Sequence, residues 1–268
     1  MARLIRSAEA ASAWVHSAGI AVVFPIADLV LPSLWEAMVG TPVVQVFAVG
    51  ESGKRVFTPQ IDRVWSMKNQ LAERRLACLG KHIRGKLALI SLDVLPALYA
   101  LTERDGSAAD FRELSGLSAL QADLAEALLV SGPQTAPQLR GMLGVPDARA
   151  VKQALTALHR MLVATEAGER AQEQGWPAAV HDLLALRYED ELKRIPSLPE
   201  ARATLVAAML AGGKELAAAD VAAALAIRRG EAEQTLELLR SRSRARCRKA
   251  EGYTLWRAVA GPQREPRY

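Results

Sequence analysis

The sequence predicts a mainly α-helical fold with small β-hairpins, an α+β architecture, for three reasons. Half of the 268 residues are hydrophobic but only 5% are aromatic, so alanine and leucine supply the apolar content and favour helices. Capping boxes precede several of the apolar helical segments. One pattern of three short helices and a hairpin occurs twice in the C-terminal part of the chain. The length suits two domains or three small units packed together.

Residues 1–117 are predicted to form a mixed α/β domain. The expected elements are a helix at 7–18 ended by Gly19, a strand at 43–49, a turn at 51–54, a returning strand at 55–58, a helix at 61–79 ended by Gly80, an apolar run at 87–92 and a helix at 93–101. The Gly-Glu-Ser-Gly-Lys stretch at 50–54 lacks the spacing of a phosphate-binding loop, and we interpret it as a hairpin turn.

The pattern is clearer from residue 118, where two capping boxes start two helices. Ser118 and Gln121 form the first box, and Thr135 and Gln138 form the second. A third helix starts near residue 147. Its apolar residues recur at spacings of four, three and four, which puts them on one face: Val151, Leu155, Leu158 and Leu162.

A second copy of this pattern begins at another capping box, Ser197 to Glu200. Its apolar positions follow the first copy at offsets of 81 and 82 residues: Leu205, Met209, Leu210, Val221 and Leu225 repeat Leu124, Leu128, Leu129, Leu139 and Leu143. Residues 245–259 then alternate as a hairpin about Glu251-Gly252. Three short helices and a hairpin define the winged-helix form of the helix-turn-helix. We therefore predict tandem winged-helix units at 118–196 and 197–268, and residues 1–117 could be a divergent one.

The distribution of charge favours a polyanionic partner. The net charge is +5 and the pI is about 9.4. Residues 240–249 hold six Lys or Arg and no acid, and residues 74–86 hold five and no acid. A solvated basic face, or a winged helix that binds protein, remains the alternative for either cluster.

The candidate contacts to double-stranded DNA come from a helix and a hairpin. On the third helix of the first copy, Arg149, Lys152 and Arg160 lie roughly opposite the apolar face, whereas the equivalent helix of the second copy carries Glu231, Glu233 and Glu237. Arginines at every second position from 240 to 248 would share one side of an extended strand. The hairpin candidates are Arg242, Arg244, Arg246, Arg248 and Lys249.

Other chemistry has little support in the sequence. The two cysteines, Cys78 and Cys247, cannot form a disulfide framework. The four histidines are spread along the chain without metal or triad spacing, so we expect no metal and no cofactor, and we interpret each histidine as a surface or core residue. No membrane span or targeting segment is evident, which favours the cytoplasm. The oligomeric state does not follow from the sequence.

Several segments resemble a known family. Residues 129–139 and 245–256 resemble the repeated units of the winged-helix superfamily of crosslink-repair DNA glycosylases, the AlkZ/YcaQ type. In the N-terminal part, Phe24-Pro25 and the segments 31–35, 65–68, 80–81, 84–86 and 90–96 resemble a shorter offshoot of that family. The resemblance implies winged-helix units stacked around a concave DNA channel, and excision of bulky alkylated or crosslinked bases.

The sequence departs from the family at its catalytic motif. Active members carry Gln-x-Asp or Gln-x-Gln, and the best-matching stretch here puts Val22 and Phe24 at the two polar positions. Neither side chain can position a water or stabilise a cationic sugar. Gln60-Ile61-Asp62 matches the motif literally but in another context. We therefore expect a DNA-binding protein that lacks the catalytic pair. An active glycosylase using Gln60 and Asp62, and a transcription regulator, are the alternatives.

Overall fold

One order of elements, helix–strand–helix–helix–strand–strand, occurs three times in the computed structural model, which describes residues 4–49, 55–173, 176–250 and 252–259. The first copy comprises α1 (Ala8–Ala18), β1 (Ile20–Val22), α2 (Leu34–Val39), α3 (Pro59–Glu73), β4 (Cys78–Ile83) and β5 (Lys86–Ile90), with β2 (Phe47–Val49) and β3 (Arg55–Phe57) inserted before α3. It is followed by α4 (Leu95–Ala100) and a 3₁₀ turn at Asp110–Glu113.

The second and third copies have the same order. The second comprises α5 (Ala119–Ser131), β6 (Gln134–Thr135), α6 (Ala136–Met142), α7 (Ala148–Arg160), β7 (Ala164–Arg170) and β8 (Ala178–Leu183), followed by α8 (Leu184–Arg187) and α9 (Glu189–Leu192). The third comprises α10 (Leu198–Ala211), β9 (Leu216–Ala217), α11 (Ala218–Leu225), α12 (Arg229–Ser241), β10 (Ala245–Ala250) and β11 (Tyr253–Ala258).

The strands of each copy pair in the same way. The last two strands form an antiparallel hairpin, and the strand after the first helix pairs antiparallel with the last strand: β1 with β5, β6 with β8, and β9 with β11. The hairpins of the first two copies also meet through Leu79 of β4 and Glu166 of β7. This contact produces one six-stranded sheet in the order β1-β5-β4-β7-β8-β6, while the third copy keeps its own three-stranded sheet.

The buried side chains form three hydrophobic clusters. One lies in the first copy and includes Val15, Val64 and Leu71. A second lies in the middle copy, where the predicted apolar face of α7 is confirmed at Val151, Leu155 and Leu158. The third cluster joins the last copy to the other side of the six-stranded sheet and includes Ile20, Tyr99, Tyr188, Leu205 and Trp256.

Local signals explain many of the helix ends. The capping boxes at Ser118 and Thr135 form as predicted, and α1 ends at Gly19. The predicted box at Ser197 is wrong: its hydroxyl donates to the Glu200 carboxylate at 2.8 Å, and neither residue caps the backbone through its side chain.

The predicted helix over 61–79 is also wrong in its second part. The α3 helix ends at Glu73, and the chain then enters the buried strand β4. Ala77, Cys78 and Leu79 are fully buried. A strand covered on both faces is apolar without alternation, and over a few residues this pattern is the same as that of a buried helix. The predicted turn at 50–54 lies outside the described residues, and β2 and β3 on either side of it pair as a hairpin.

Candidate nucleic-acid interface and adjacent cavities

The exposed face of α7 carries basic side chains that no acid of the described residues neutralises. Arg149, Lys152 and Arg160 are all exposed, and none forms an ion pair with another residue in the described part of the chain. The equivalent helix α12 differs, because its basic residues pair internally: Arg229 with Glu233 at 2.9 Å and Arg240 with Glu237 at 2.8 Å. Of these two helices, α7 therefore offers its positive charge to solvent without acidic partners in the described part of the chain.

The run of arginines near the C-terminus does not form one stripe along a strand. The α12 helix includes Ser241, Arg242 follows it as the C-cap, and β10 begins only at Ala245. Arg244, Arg246 and Lys249 are exposed. Arg248 is already engaged, since its guanidinium donates to the Glu215 carboxylate at 2.5 to 3.1 Å.

Within this hairpin, Arg246 stands directly opposite Arg257 on the neighbouring strand. Both are exposed, and neither pairs with an acid in the described ranges. Like charges at directly opposed positions of a sheet are unfavourable, and a bound anion would relieve the repulsion. Among the described residues, the free positive charge of the hairpin is therefore at Arg246, Lys249 and Arg257, with Arg248 the paired member.

A cavity of about 480 Å³ opens where the first two copies meet, and we call it the basic cavity. Lys81 comes to it from β4, Arg140 from α6 and Lys152 from α7. None of these three cations has an ion-pair partner among the described residues. The Nζ of Lys81 donates to Thr156 Oγ1 at 3.1 Å, which fixes this ammonium in the wall.

Three histidines that are far apart in sequence lie together behind this cavity. His82 Nδ1 lies 2.8 Å from the carbonyl oxygen of His159, and His159 Nε2 lies 3.0 Å from His181 Nδ1. All three are buried. Burial lowers the pKa of His82 and of His181 to about 4, and lowers the pKa of His159 well below its ordinary value. These three are core residues, and His16 lies on the surface with its Nδ1 2.8 Å from Asp93, so each histidine is a core or surface residue as predicted. The sequence did not indicate that the three core histidines lie together.

A second cavity of about 430 Å³, the aromatic cavity, shares Trp176 and Pro177 with the basic cavity. Its lining includes four aromatic rings and two carboxylates: Phe24, Phe57, Trp65, Trp176, Asp62 and Glu169. The rings of Phe57 and Trp176 meet edge to face at 5.1 Å. Trp65 Nε1 donates to Glu169 at 2.5 Å, which fixes both side chains.

A buried lysine lies behind the wall of the aromatic cavity. Lys68 Nζ is 4.1 Å from the centre of the Trp65 ring, 3.7 Å from the Glu169 carboxylate and 3.8 Å from the Glu166 carboxylate. Burial lowers the pKa of Lys68. The single ammonium of Lys68 is therefore shared by two glutamates, one beside each cavity.

The structure separates the residues considered for catalysis. Val22 is fully buried in β1, whereas Phe24 and Asp62 line the aromatic cavity together. Gln60 lies instead in a neighbouring depression that Asp62 also borders. Aromatic residues far apart in the sequence, such as Phe57 and Trp176, were not among the candidates, and no local motif points to them.

Within residues 4–49, 55–173, 176–250 and 252–259, no group of three or more His, Cys, Asp or Glu side chains could hold a metal ion. Over the same ranges, every helix is too short or too polar to cross a membrane.

Comparison with known proteins identifies the family. The AlkZ-related family matches residues 5–226, so the chain belongs to that family. No protein with a curated description matches the chain. Among solved structures, the chain is similar to the Streptomyces sahachiroi DNA glycosylase AlkZ, with 14% identity and a TM-score of 0.52 over 96% of this chain. The match covers 65% of the AlkZ chain, and at this identity it shows a shared fold.

Proposed function

We propose that the protein binds double-stranded DNA through three winged-helix units, at 1–117, 118–196 and 197–268, and lacks the catalytic pair of the related glycosylases. The support for the units is their common topology, in which the strand after the first helix pairs with the last strand of the hairpin. In such a unit the third helix enters the major groove and the hairpin contacts the backbone.

The observation that carries the proposal is the difference between α7 and α12. The three cations of α7 are exposed without acidic partners in the described ranges, whereas two arginines of α12 pair with glutamates of their own helix. A cation that is free in the unbound protein loses no ion pair when it meets a phosphate. We therefore assign the DNA contacts to Arg149, Lys152 and Arg160 of α7, with the unpaired Arg244, Arg246 and Lys249 of the last hairpin region as backbone contacts.

Lys152→Glu is expected to weaken duplex binding and to lower the salt slope, d log K/d log[salt], by about 0.9 for the lost phosphate contact. The loss should be the same for two unrelated duplex sequences, because a phosphate contact carries no sequence information. Fluorescence anisotropy over a salt series measures both quantities.

Lys193→Glu makes the same charge change at a surface residue paired with Asp190, outside both cavities, and is the control. Glu233→Ala on α12 should also have less effect than Lys152→Glu, and equal losses in all variants would contradict the assignment.

An active glycosylase is the second candidate, and the aromatic cavity is the observation that favours it. Enzymes that act on a base extrude it from the helix and hold it between aromatic side chains. The cavity offers such rings and the Asp62 carboxylate. Against it stands the apolar pair Val22 and Phe24, since Val22 is buried and Phe24 can only contribute a ring to the cavity.

We expect no abasic sites when the purified protein is incubated with alkylated or crosslinked duplexes, because Val22 and Phe24 cannot activate water. Alkaline cleavage on a denaturing gel detects abasic sites. Asp62→Ala and Gln60→Ala form a matched pair, as only Asp62 lines the aromatic cavity. The glycosylase would replace the present proposal if the wild type cleaves the duplex, Asp62→Ala does not, and Gln60→Ala still does.

A further inference from the structure

The proton positions in the histidine group leave one donor directed at the basic cavity. The backbone N–H of Lys81 donates to His159 Nδ1 at 3.3 Å, so this nitrogen carries no proton and the neutral ring is protonated at Nε2. His159 Nε2–H then donates to His181 Nδ1 at 3.0 Å. His181 is therefore protonated at Nε2.

The environment of that Nε2–H is distinctive. His181 is only 9% exposed, lines the basic cavity, and forms no hydrogen bond through Nε2 with the described residues. The described part of the chain has three fully buried side-chain nitrogen or oxygen atoms without a partner, and His181 Nε2 is not one of them, so this atom is open to the cavity. Its N–H can therefore donate to an acceptor that enters the cavity.

The charges around the cavity restrict the chemistry of that acceptor. Lys81, Arg140 and Lys152 line it without ion-pair partners in the described part of the chain, so the free charge on the wall is positive. The carboxylate on the wall, Glu166, is 6% exposed in its side chain and forms an ion pair at 3.8 Å with the buried Lys68, so it does not pair with the three cations of the cavity. An oxyanion with several acceptor oxygens fits three cations and one neutral donor.

We propose that the basic cavity is a phosphate-binding pocket, in which His181 Nε2–H and the cations of Lys81, Arg140 and Lys152 hold one phosphate group of a nucleic acid. The inference rests on the proposed function only in taking the phosphate to belong to bound DNA. The four side chains come from β4, α6, α7 and β8, so the pocket exists only where the first two copies meet. A strand-end phosphate, or that of an extruded nucleotide, can enter a recess of this volume.

The pocket is tested with inorganic phosphate as the probe. Two-dimensional ¹H–¹⁵N spectra of the histidine side chains report on His181, and sodium chloride at equal ionic strength controls for screening. We expect a saturable shift of the His181 Nε2 signal with phosphate and none with chloride. Lys152→Ala and Arg140→Ala should each weaken phosphate binding roughly tenfold, because each removes a charge-assisted contact.

The control is Lys193→Ala, which removes a surface cation that pairs with Asp190 and lies outside the cavity. It should leave the phosphate affinity unchanged. Lys152 and Arg140 are both exposed, so removing either side chain leaves the buried histidines in place. No saturable shift at His181, or an equal loss in Lys193→Ala, would overturn the pocket.

Duplex ligands then identify the source of the phosphate and separate the two proposals. A duplex with 5′-phosphates is compared with the same duplex bearing 5′-hydroxyls and with a closed dumbbell that has no ends. If the 5′-phosphorylated duplex binds more tightly than the other two, and Arg140→Ala removes this difference, the phosphate is that of a strand end. If all three duplexes bind equally and Arg140→Ala weakens the binding of each, the phosphate is internal. Duplex binding without any response to inorganic phosphate refutes the pocket alone, and a phosphate response without duplex binding refutes the proposed function alone.

Discussion

Gly80→Ala is expected to destabilise the protein by about 3 kcal/mol, in the upper range for overpacking of a core. A Cβ added at residue 80 would lie 2.3 Å from His82 Nε2 and 2.8 Å from His159 Nδ1. Neither ring can move away cheaply, since both are buried and hydrogen-bonded to His181 or to main-chain groups. Thermal unfolding should show the melting temperature lowered by roughly 6 to 12 °C, given about 2–4 °C per kcal/mol for a chain of this size.

The matched control is Gly141→Ala in α6. No atom lies within 4 Å of a Cβ built there, and the residue is exposed on a helix. An alanine in a helix interior is more stable than glycine by about 0.5–1 kcal/mol, so this variant should unfold at the same or a higher temperature. A neutral Gly80→Ala would mean that the three rings are not held in place as described.

Acid is expected to destabilise the fold through the same three histidines. Burial lowers the pKa of His82 and His181 from 6.5 to about 4, so between these values the unfolded chain binds protons that the folded protein does not. Stability therefore falls as the pH decreases from 6.5 towards 4. At 1.36 kcal/mol for each pKa unit, each of these histidines contributes a loss of about 3 kcal/mol over that range. His159 acts in the same direction.

Two buried carboxyls oppose this trend. Burial raises the pKa of Glu166 and Asp182, so the folded protein takes up their protons first and gains stability as the pH falls. The histidine contribution is isolated by urea unfolding of the wild type and His181→Gln at several pH values. The difference between the two curves should shrink as the pH falls from 6.5 towards 4. His16→Gln, at an exposed histidine, is the control. A constant difference between wild type and His181→Gln would count against the buried neutral state.

Sequence reasoning succeeded where the physical signal is local. The apolar spacing of α7 and the capping boxes at Ser118 and Thr135 depend on neighbours within a few residues, and each is confirmed. The end of α3 was missed because the burial of Cys78 and Leu79 depends on pairing with β5 and β7, which no nearby residue reveals.

The candidate sites show the same division. The exposed cations of α7 follow from helical periodicity, but the pairing of Arg248 with Glu215, 33 residues away, does not. The histidine group could not be predicted, because His82, His159 and His181 come from β4, α7 and β8. The same holds for the aromatic cavity, where Phe24, Phe57 and Trp176 meet only after the chain has folded.

The edge-to-edge pairing of β4 with β7 has a consequence for the emerging polypeptide on the ribosome. Leu79 pairs with Glu166, and Cys78 contacts Thr165 across 87 residues of sequence. Until those later residues leave the ribosome, β4 is an open edge flanked by apolar side chains, which is the state most prone to aggregation. The closure of so long a loop also makes this contact a slow step. Synthesis of the first third of the chain thus creates an aggregation-prone intermediate, whose open β4 edge is covered when β7 of the middle third pairs with it.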